Sequence, residues 1–177
     1  MRKQEAPKDM LISGQAMQAI VQSIEFDSIR PHMEEMFQAY GLPPIIDPNQ
    51  WYPLQLYYDI TKRLNSDELI SIGVRVINAA IFPPEIDSIQ KAIELLMATH
   101  HLNLKNVPES DGYSDYHFDA HRITFRENTT FPHDLMYGYI YGLVQRYKKN
   151  GESPVVRRTF LNEADPDAAG AIYEITY

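Results

Sequence analysis

The sequence predicts an α+β fold, with an N-terminal bundle of about five helices packed on a C-terminal antiparallel sheet. Two observations lead to this class. From about residue 13 to about residue 101, apolar residues recur at spacings of three and four, which is the period of amphipathic helices. After about residue 112 the pattern alternates, interrupted by one helical segment. The predicted order of the C-terminal part is therefore β-β-α-β-β.

The N-terminal part divides at capping residues, prolines and glycines. Residues 1–10 are polar and are expected to form a flexible arm, and residues 11–177 a single α+β domain. Three prolines in six residues exclude a regular helix between Leu42 and Pro48, so this segment is a connector. Gly41 ends the second helix and Asn65 ends the third. The predicted helices begin near Ser13, Asp27 or Ser28, Tyr52, Ser66 and Pro84, and the fifth continues to about His101.

The C-terminal part is organised around an amphipathic helix predicted from Phe131 to Tyr147. Gly138 and Gly142 lie one turn apart in this helix, although each glycine inside a helix costs about 1 kcal/mol relative to alanine. A close approach to another helix or to the sheet would offset this cost. The flanking alternating segments are Tyr113–Ala120, Ile123–Arg126, Pro154–Leu161 and Ala171–Tyr177, and they are predicted to be strands.

Composition excludes several classes of function. The formal net charge of −8 and the pI near 5.2 disfavour nucleic acid and anionic membranes as main partners. There is no cysteine, which excludes disulfides, thiolate catalysis and iron–sulfur clusters. No apolar run reaches membrane-spanning length and the first residues are polar, so we expect a cytoplasmic protein without a membrane span.

No complete catalytic or metal motif is present. The sequence contains no nucleophile elbow, no phosphate-binding glycine loop and no dinucleotide fingerprint, so we expect that the protein is not an enzyme. His117 and His121 are four residues apart, but on a strand this spacing separates them by about 13 Å. We therefore predict no metal site. His100 and His101 lie at a predicted helix end, where one of them can interact with the helix dipole.

Segments along most of the chain, from Ile12 to Tyr177, share their pattern and order with a known superfamily. They are the hairpin Asp115–Arg126, the helix motif Gly138-x-x-x-Gly142-Leu143, the strand Val155–Leu161, the closing Ile172-Tyr173-Glu174-Ile175, and upstream Trp51-Tyr52-Pro53 and Leu69-Ile70-Ser71-Ile72-Gly73.

These segments resemble the superfamily of 4-vinyl reductase-type domains, TRAPP vesicle-tethering subunits and haem-nitric oxide/oxygen-binding domains. The resemblance implies a non-enzymatic sensor or adaptor domain that binds a small, largely apolar ligand between helices and sheet. It also implies a homodimer formed through the N-terminal helices and a separate signalling effector. The ligand-pocket candidates are Trp51, Tyr57, Met97, Tyr139 and Leu143.

Two alternatives stay open beside this hypothesis. One is a haem-based gas-sensing domain with haem as cofactor, in which the resemblance makes His100 or His101 the axial ligand. The haem-binding branch holds the propionates with a Tyr-x-Ser-x-Arg motif, whereas this chain reads Tyr113-Ser114-Asp115-Tyr116-His117. The other is a dimerising interaction module without a ligand. The 4-vinyl reductase-type domains carry cysteines before the glycine helix, and this chain has none, so a metal site of that kind is not expected.

Overall fold

The computed structural model describes residues 5–24, 30–43, 45–165 and 169–177. The α+β class predicted from the sequence is confirmed. In chain order the elements are β1 (Leu11–Ser13), α1 (Gly14–Ser23), α2 (Arg30–Ala39), β2 (Trp51–Pro53), α3 (Leu54–Thr61), α4 (Ser66–Ala79), α5 (Ile89–Thr99), a 3-10 turn (His100–Asn103), β3 (Leu104–Lys105), β4 (Gly112–Asp119), β5 (Arg122–Asn128), α6 (His133–Tyr147), β6 (Val155–Phe160) and β7 (Ala171–Thr176).

The main sheet contains β4, β5, β7 and β6 in that spatial order, and all of its neighbouring strands are antiparallel. Along β5 and β7, buried residues that face the core alternate with more exposed residues, as expected for a sheet covered on one side. Phe125 of β5 lies opposite Tyr173 of β7, and their rings stack with centroids 5.3 Å apart. Such cross-strand pairs fix the register and give α5 and α6 an apolar surface on which to pack.

A second, three-stranded sheet joins distant parts of the helical bundle. Its order is β2-β1-β3, and it brings residues 11–13 beside residues 51–53 and 104–105. The sequence did not predict this sheet, because strands of two or three residues show no measurable alternation. It fixes where α1 and α3 begin, since each of these helices follows directly from one of its strands.

Two predicted helix starts were wrong. The fifth helix begins at Ile89 rather than Pro84, because the side chain of Ser88 accepts a hydrogen bond from the Lys91 amide and caps it there. The third helix begins at Leu54, because Tyr52 pairs with Ile12 in the small sheet. The predicted caps of the second helix, Asp27 and Ser28, lie outside the described residues.

The glycines of α6 allow a close crossing with α4, whereas the sequence had left open whether they approach another helix or the sheet. A Cβ atom added at Gly138 would lie 2.3 Å from the carbonyl oxygen of Ile70, and one added at Gly73 would lie 2.5 Å from that of Leu135. The two helix backbones therefore touch directly at Gly73 and Gly138. One turn later, Gly142 packs against the side chain of Ile77.

The close crossing leaves α6 buried along most of its length, with one face turned outward. Tyr141 is among the exposed large side chains, because side chains two positions apart on a helix point away from one another and cannot all face the core. Within the described ranges, no helix is both long and apolar enough to cross a membrane.

Candidate functional site

A cavity of about 250 Å³ lies where α1, α3, α4, α5 and α6 meet. Small side chains on one side leave this space open: Ala16 and Ala19 belong to α1 and Val76 to α4. Leu96 of α5 and Met136 of α6 also line the cavity. Its surface is mostly apolar, as in many small-molecule sites.

Tyr57 of α3 places a polar group in this apolar surrounding. Its side chain is fully buried, and its ring makes an edge contact with Phe131, with centroids 5.3 Å apart. No hydrogen-bond partner for its hydroxyl occurs among the described residues. Burial, with a smaller contribution from nearby Tyr139, raises the pKa of Tyr57 well above its ordinary value, so the hydroxyl stays protonated.

His100 forms the wall between this cavity and a larger groove of about 620 Å³. The imidazole is 6% exposed, and its Nε2 lies 2.5 Å from Oδ1 of Asp111. The rings of Tyr113 and Phe131 contact it edge-on, at 5.6 and 5.7 Å between centroids. No described residue bonds to Nδ1 of His100. The carboxylate and the rings therefore fix the orientation of this histidine.

The groove on the other side of His100 has a different chemical character. Glu94, Glu109 and Asp111 supply carboxylates, and Tyr116 and Phe118 supply aromatic surface. No lysine or arginine is found in the described part of its lining. The groove therefore does not provide a site for an anion.

The structure brings some of the sequence-predicted candidates together. Tyr57 and Tyr139 both line the cavity, and His100 lines the cavity and the groove. Met97 and His101 line the groove alone.

Two other candidates lie elsewhere. Trp51 belongs to β2, where Nζ of Lys105 lies 4.0 Å from the centroid of its ring, and it is not among the cavity-lining residues. Leu143 is 1% exposed and packs in the apolar cluster between α6 and the main sheet.

Sequence reasoning missed a buried acid–base pair at the start of α6. Oε2 of Glu127 lies 2.6 Å from Nδ1 of His133, and Oε1 accepts hydrogen bonds from the amide and hydroxyl of Thr129. Glu127 ends an alternating strand in a charged stretch, so its sequence context indicated a solvent-facing residue. The role of Asp111 as the partner of His100 was also missed. The sequence offered only the pair Asp111-Gly112, which is typical of a turn, and Gly112 does have φ +132.

Haem, the cofactor implied by one branch of the predicted resemblance, fits these residues only at one position. Nδ1 of His100 could hold such an iron, and a carboxylate on the other ring nitrogen is the usual partner of a metal-bound histidine. The cavity, however, has no lysine or arginine in its described lining to pair with propionates. An apolar cavity of about 150 Å³ binds benzene, so 250 Å³ is small for a macrocycle of four pyrrole rings.

Comparison with known proteins shows which solved structures share this fold. No family model and no curated protein matches the chain. Solved structures of haem-nitric oxide/oxygen-binding (H-NOX) domains do match. A single-residue variant of Tt H-NOX has a TM-score of 0.63 at 12% identity, covering 93% of this chain and 94% of that one. An H-NOX protein from S. oneidensis in the Fe(II)NO state has a TM-score of 0.58 at 13% identity, covering 93% and 98%.

An oxygen-binding H-NOX domain related to soluble guanylate cyclases has a TM-score of 0.56 at 13% identity, covering 93% of this chain and 94% of that one. Identities this low show the fold alone. The 4-vinyl reductase and TRAPP parts of the resemblance stay predictions. The haem-nitric oxide/oxygen-binding part is confirmed at the level of architecture: this chain has an H-NOX-like α+β fold.

Proposed function

We propose that this protein is a non-enzymatic sensor-type domain that binds a small, largely apolar ligand in the cavity between α1, α3, α4, α5 and α6. The observation that supports this proposal most directly is the cavity itself, which is mostly apolar and about 250 Å³ in volume. A concave, mostly apolar space of this kind is a typical small-molecule site. Homodimer formation, a separate effector and a cytoplasmic location stay predictions of the sequence.

A cavity-filling variant tests this function. In Ala19→Leu the larger side chain enters the cavity, so we expect native mass spectrometry to show a lower fraction of protein carrying a small molecule than in the wild type. Ala39→Leu is the matched control, because it makes the same change on an exposed position of α2 and should leave this fraction unchanged. A wild-type protein that carries no small molecule, or an Ala19→Leu variant with unchanged occupancy, would contradict the proposal.

Haem-based gas sensing is the second candidate, and the comparisons support it more directly than an unspecified ligand. The matching structures are H-NOX domains, one of them in the Fe(II)NO state and one in an oxygen complex. In this chain His100 would hold the cofactor through Nδ1 while Asp111 fixes the ring. When bound, haem would supply an iron that takes up a diatomic gas.

Titration of the purified protein with haem separates the two candidates. If haem is the ligand, a saturable Soret band develops, His100→Ala removes it and His101→Ala retains it. His101 is the matched control because it is the adjacent residue but is exposed and does not line the cavity. From the cavity volume and the lack of a cation we expect no saturable band. A band that depends on His100 would replace our main proposal with the haem candidate.

A further inference from the structure

Strand β6 forms one edge of the main sheet. Its residues, Val155–Phe160, pair with β7 in an unbroken register, and the order β4-β5-β7-β6 leaves the other side of β6 without a neighbouring strand in the described structure. The opposite edge, β4, is interrupted, because its register shifts between Ser114 and His117 and Asp115 has φ +50. Such irregularities hinder the addition of another strand. Of the two edges, β6 is therefore the regular one.

The hydrogen-bond pattern shows which backbone groups face this edge. The Leu161 amide donates to the carbonyl oxygen of Gly170 at 3.1 Å, so this position bonds to the β7 side. Bonded positions alternate along an antiparallel ladder, so every second residue counted back from here also bonds to β7. The residues between them turn their amides and carbonyls away from β7, and no group in the described ranges bonds to these. They are Val156, Arg158 and Phe160.

Helix α6 lies along the inner side of the same edge. The Arg158 guanidinium donates to Oδ1 of Asp134 at 2.7 Å and lies 5.1 Å from the ring centroid of Tyr137. Tyr137 in turn stacks on Tyr141, with centroids 6.2 Å apart, and Tyr141 is 38% exposed. An aromatic surface therefore extends along α6 from the edge strand to solvent.

The outer side of the edge carries positive charge. The side chain of Arg157 is 72% exposed, and β6 contains no acidic residue. The carboxylate of Glu174 lies 3.4 Å from the Arg157 guanidinium, but it also pairs with Arg122 of β5. One carboxylate thus serves two guanidinium groups, so an acidic side chain next to Arg157 would find a complementary charge.

A second copy of β6 does not suit this edge. An antiparallel pairing that uses every backbone group facing the edge is centred on Arg158, and it sets the two copies of this side chain directly opposite one another. A pairing centred one position earlier does the same to Arg157. Like charges in these positions destabilise a sheet. A strand with acidic residues has the complementary charge.

We infer that β6 is the docking edge for an extended segment of a partner protein, which adds antiparallel to β6 as a further strand of the main sheet. Strand addition beside a helix is an established mode of peptide recognition, in which backbone hydrogen bonds give affinity and alternate side chains give specificity. The segment places acidic residues on the outer side, next to Arg157, and apolar residues on the inner side, towards Tyr141. This inference goes beyond the proposed function and does not depend on the cavity.

A peptide of about seven residues that alternates valine and glutamate, with blocked termini, is the probe. By fluorescence anisotropy, we expect the wild type to bind it about tenfold more tightly than a peptide with lysine in place of glutamate. In an antiparallel pairing with valine on the inner side, the valine amides bond to β6 and the glutamate amides point away. N-methylation of the valines should therefore abolish binding, and N-methylation of the glutamates, the matched control, should retain it.

Variants of the protein locate the binding edge. Arg157→Glu should weaken binding of the acidic peptide about tenfold. Arg122→Glu is the matched control, since Arg122 contacts the same Glu174 from inside the sheet, and its affinity should stay within about twofold of wild type. Val156→Pro should remove binding with little change in melting temperature, because the lost amide does not bond to β7.

Several results would overturn this inference. They are equal binding of the two N-methylated peptides, unchanged affinity in Arg157→Glu or Val156→Pro, and failure of the wild type to bind the acidic peptide. A wild-type dimer that Val156→Pro dissociates, detected by sedimentation, would also overturn it, because the occupant of the edge would then be a second copy. None of these results bears on ligand binding in the cavity, so the proposed function is tested separately.

Discussion

Replacing Gly138 with alanine is expected to destabilise the protein by about 3 kcal/mol, the upper end of the range for overpacked cores. The new methyl carbon would lie 2.3 Å from the carbonyl oxygen of Ile70 and 3.0 Å from Cα of Gly73. Both are backbone atoms of α4, so no side-chain rotation can relieve the overlap, and the two helices must separate. A urea unfolding curve measures the loss as a lower midpoint with an unchanged slope.

Gly142→Ala is the control for this prediction, because it makes the same change one turn later in the same helix. Its Cβ would lie 3.1 Å from Cβ of Ile77 and 3.3 Å from Cα of Val74, distances that a backbone shift of a few tenths of an ångström makes acceptable. The better helix propensity of alanine, about 1 kcal/mol, offsets much of that cost. We therefore expect a change of less than about 1 kcal/mol. A Gly138→Ala protein as stable as the Gly142→Ala protein would show that α4 and α6 do not touch through their backbones.

The glycine pair illustrates what sequence could predict about this fold. Two glycines one turn apart in an otherwise good helix indicate a close contact on one face, whatever the partner is. The sequence could not name α4 as that partner, since the contact joins residues about 65 positions apart along the chain. Likewise, the strands of the main sheet were predicted to within a few residues, because their alternation is long enough to measure.

Local competition explains the elements that were placed wrongly. Pro84 is well suited to the first turn of a helix, but Ser88 offers a side-chain cap four residues later, and the helix begins there. Trp51 was a pocket candidate because aromatic side chains offer a large apolar contact area. Tertiary pairing of β2 with β1 instead places its ring beneath Lys105.

Burial of polar groups was the least predictable part of the site. Tyr57 and Tyr139 were chosen for their aromatic character, and both line the cavity. Which hydroxyl lacks a partner depends on every neighbour in three dimensions, so no spacing rule can supply it. The same limit applies to Glu127, whose burial depends on how α6 packs over the end of β5.

Replacing Glu127 with glutamine is expected to destabilise the protein by about 3 kcal/mol at pH 7, because it removes a buried carboxylate that His133 and Thr129 hold by hydrogen bonds. The carboxylate is fully buried and lies 2.6 Å from Nδ1 of His133. Burial opposes its ionisation, but the hydrogen bonds from His133 and Thr129 outweigh burial and hold the pKa of Glu127 below its ordinary value of 4.5. The free energy of unfolding, measured in urea at fixed pH, reports the loss.

The pH dependence of the stability difference between wild type and Glu127→Gln shows whether the buried Glu127 carboxyl is ionised or protonated. Because the pKa of Glu127 is lower in the folded state, its contribution to stability is complete above the ordinary carboxyl pKa and is lost as the pH falls through the folded value. The gap between wild type and Glu127→Gln should therefore be constant near neutrality and narrow under acidic conditions. Glu34→Gln, an exposed position on α2, should change stability by less than about 0.5 kcal/mol throughout. A gap for Glu127→Gln that is independent of pH would mean that the native carboxyl is already protonated.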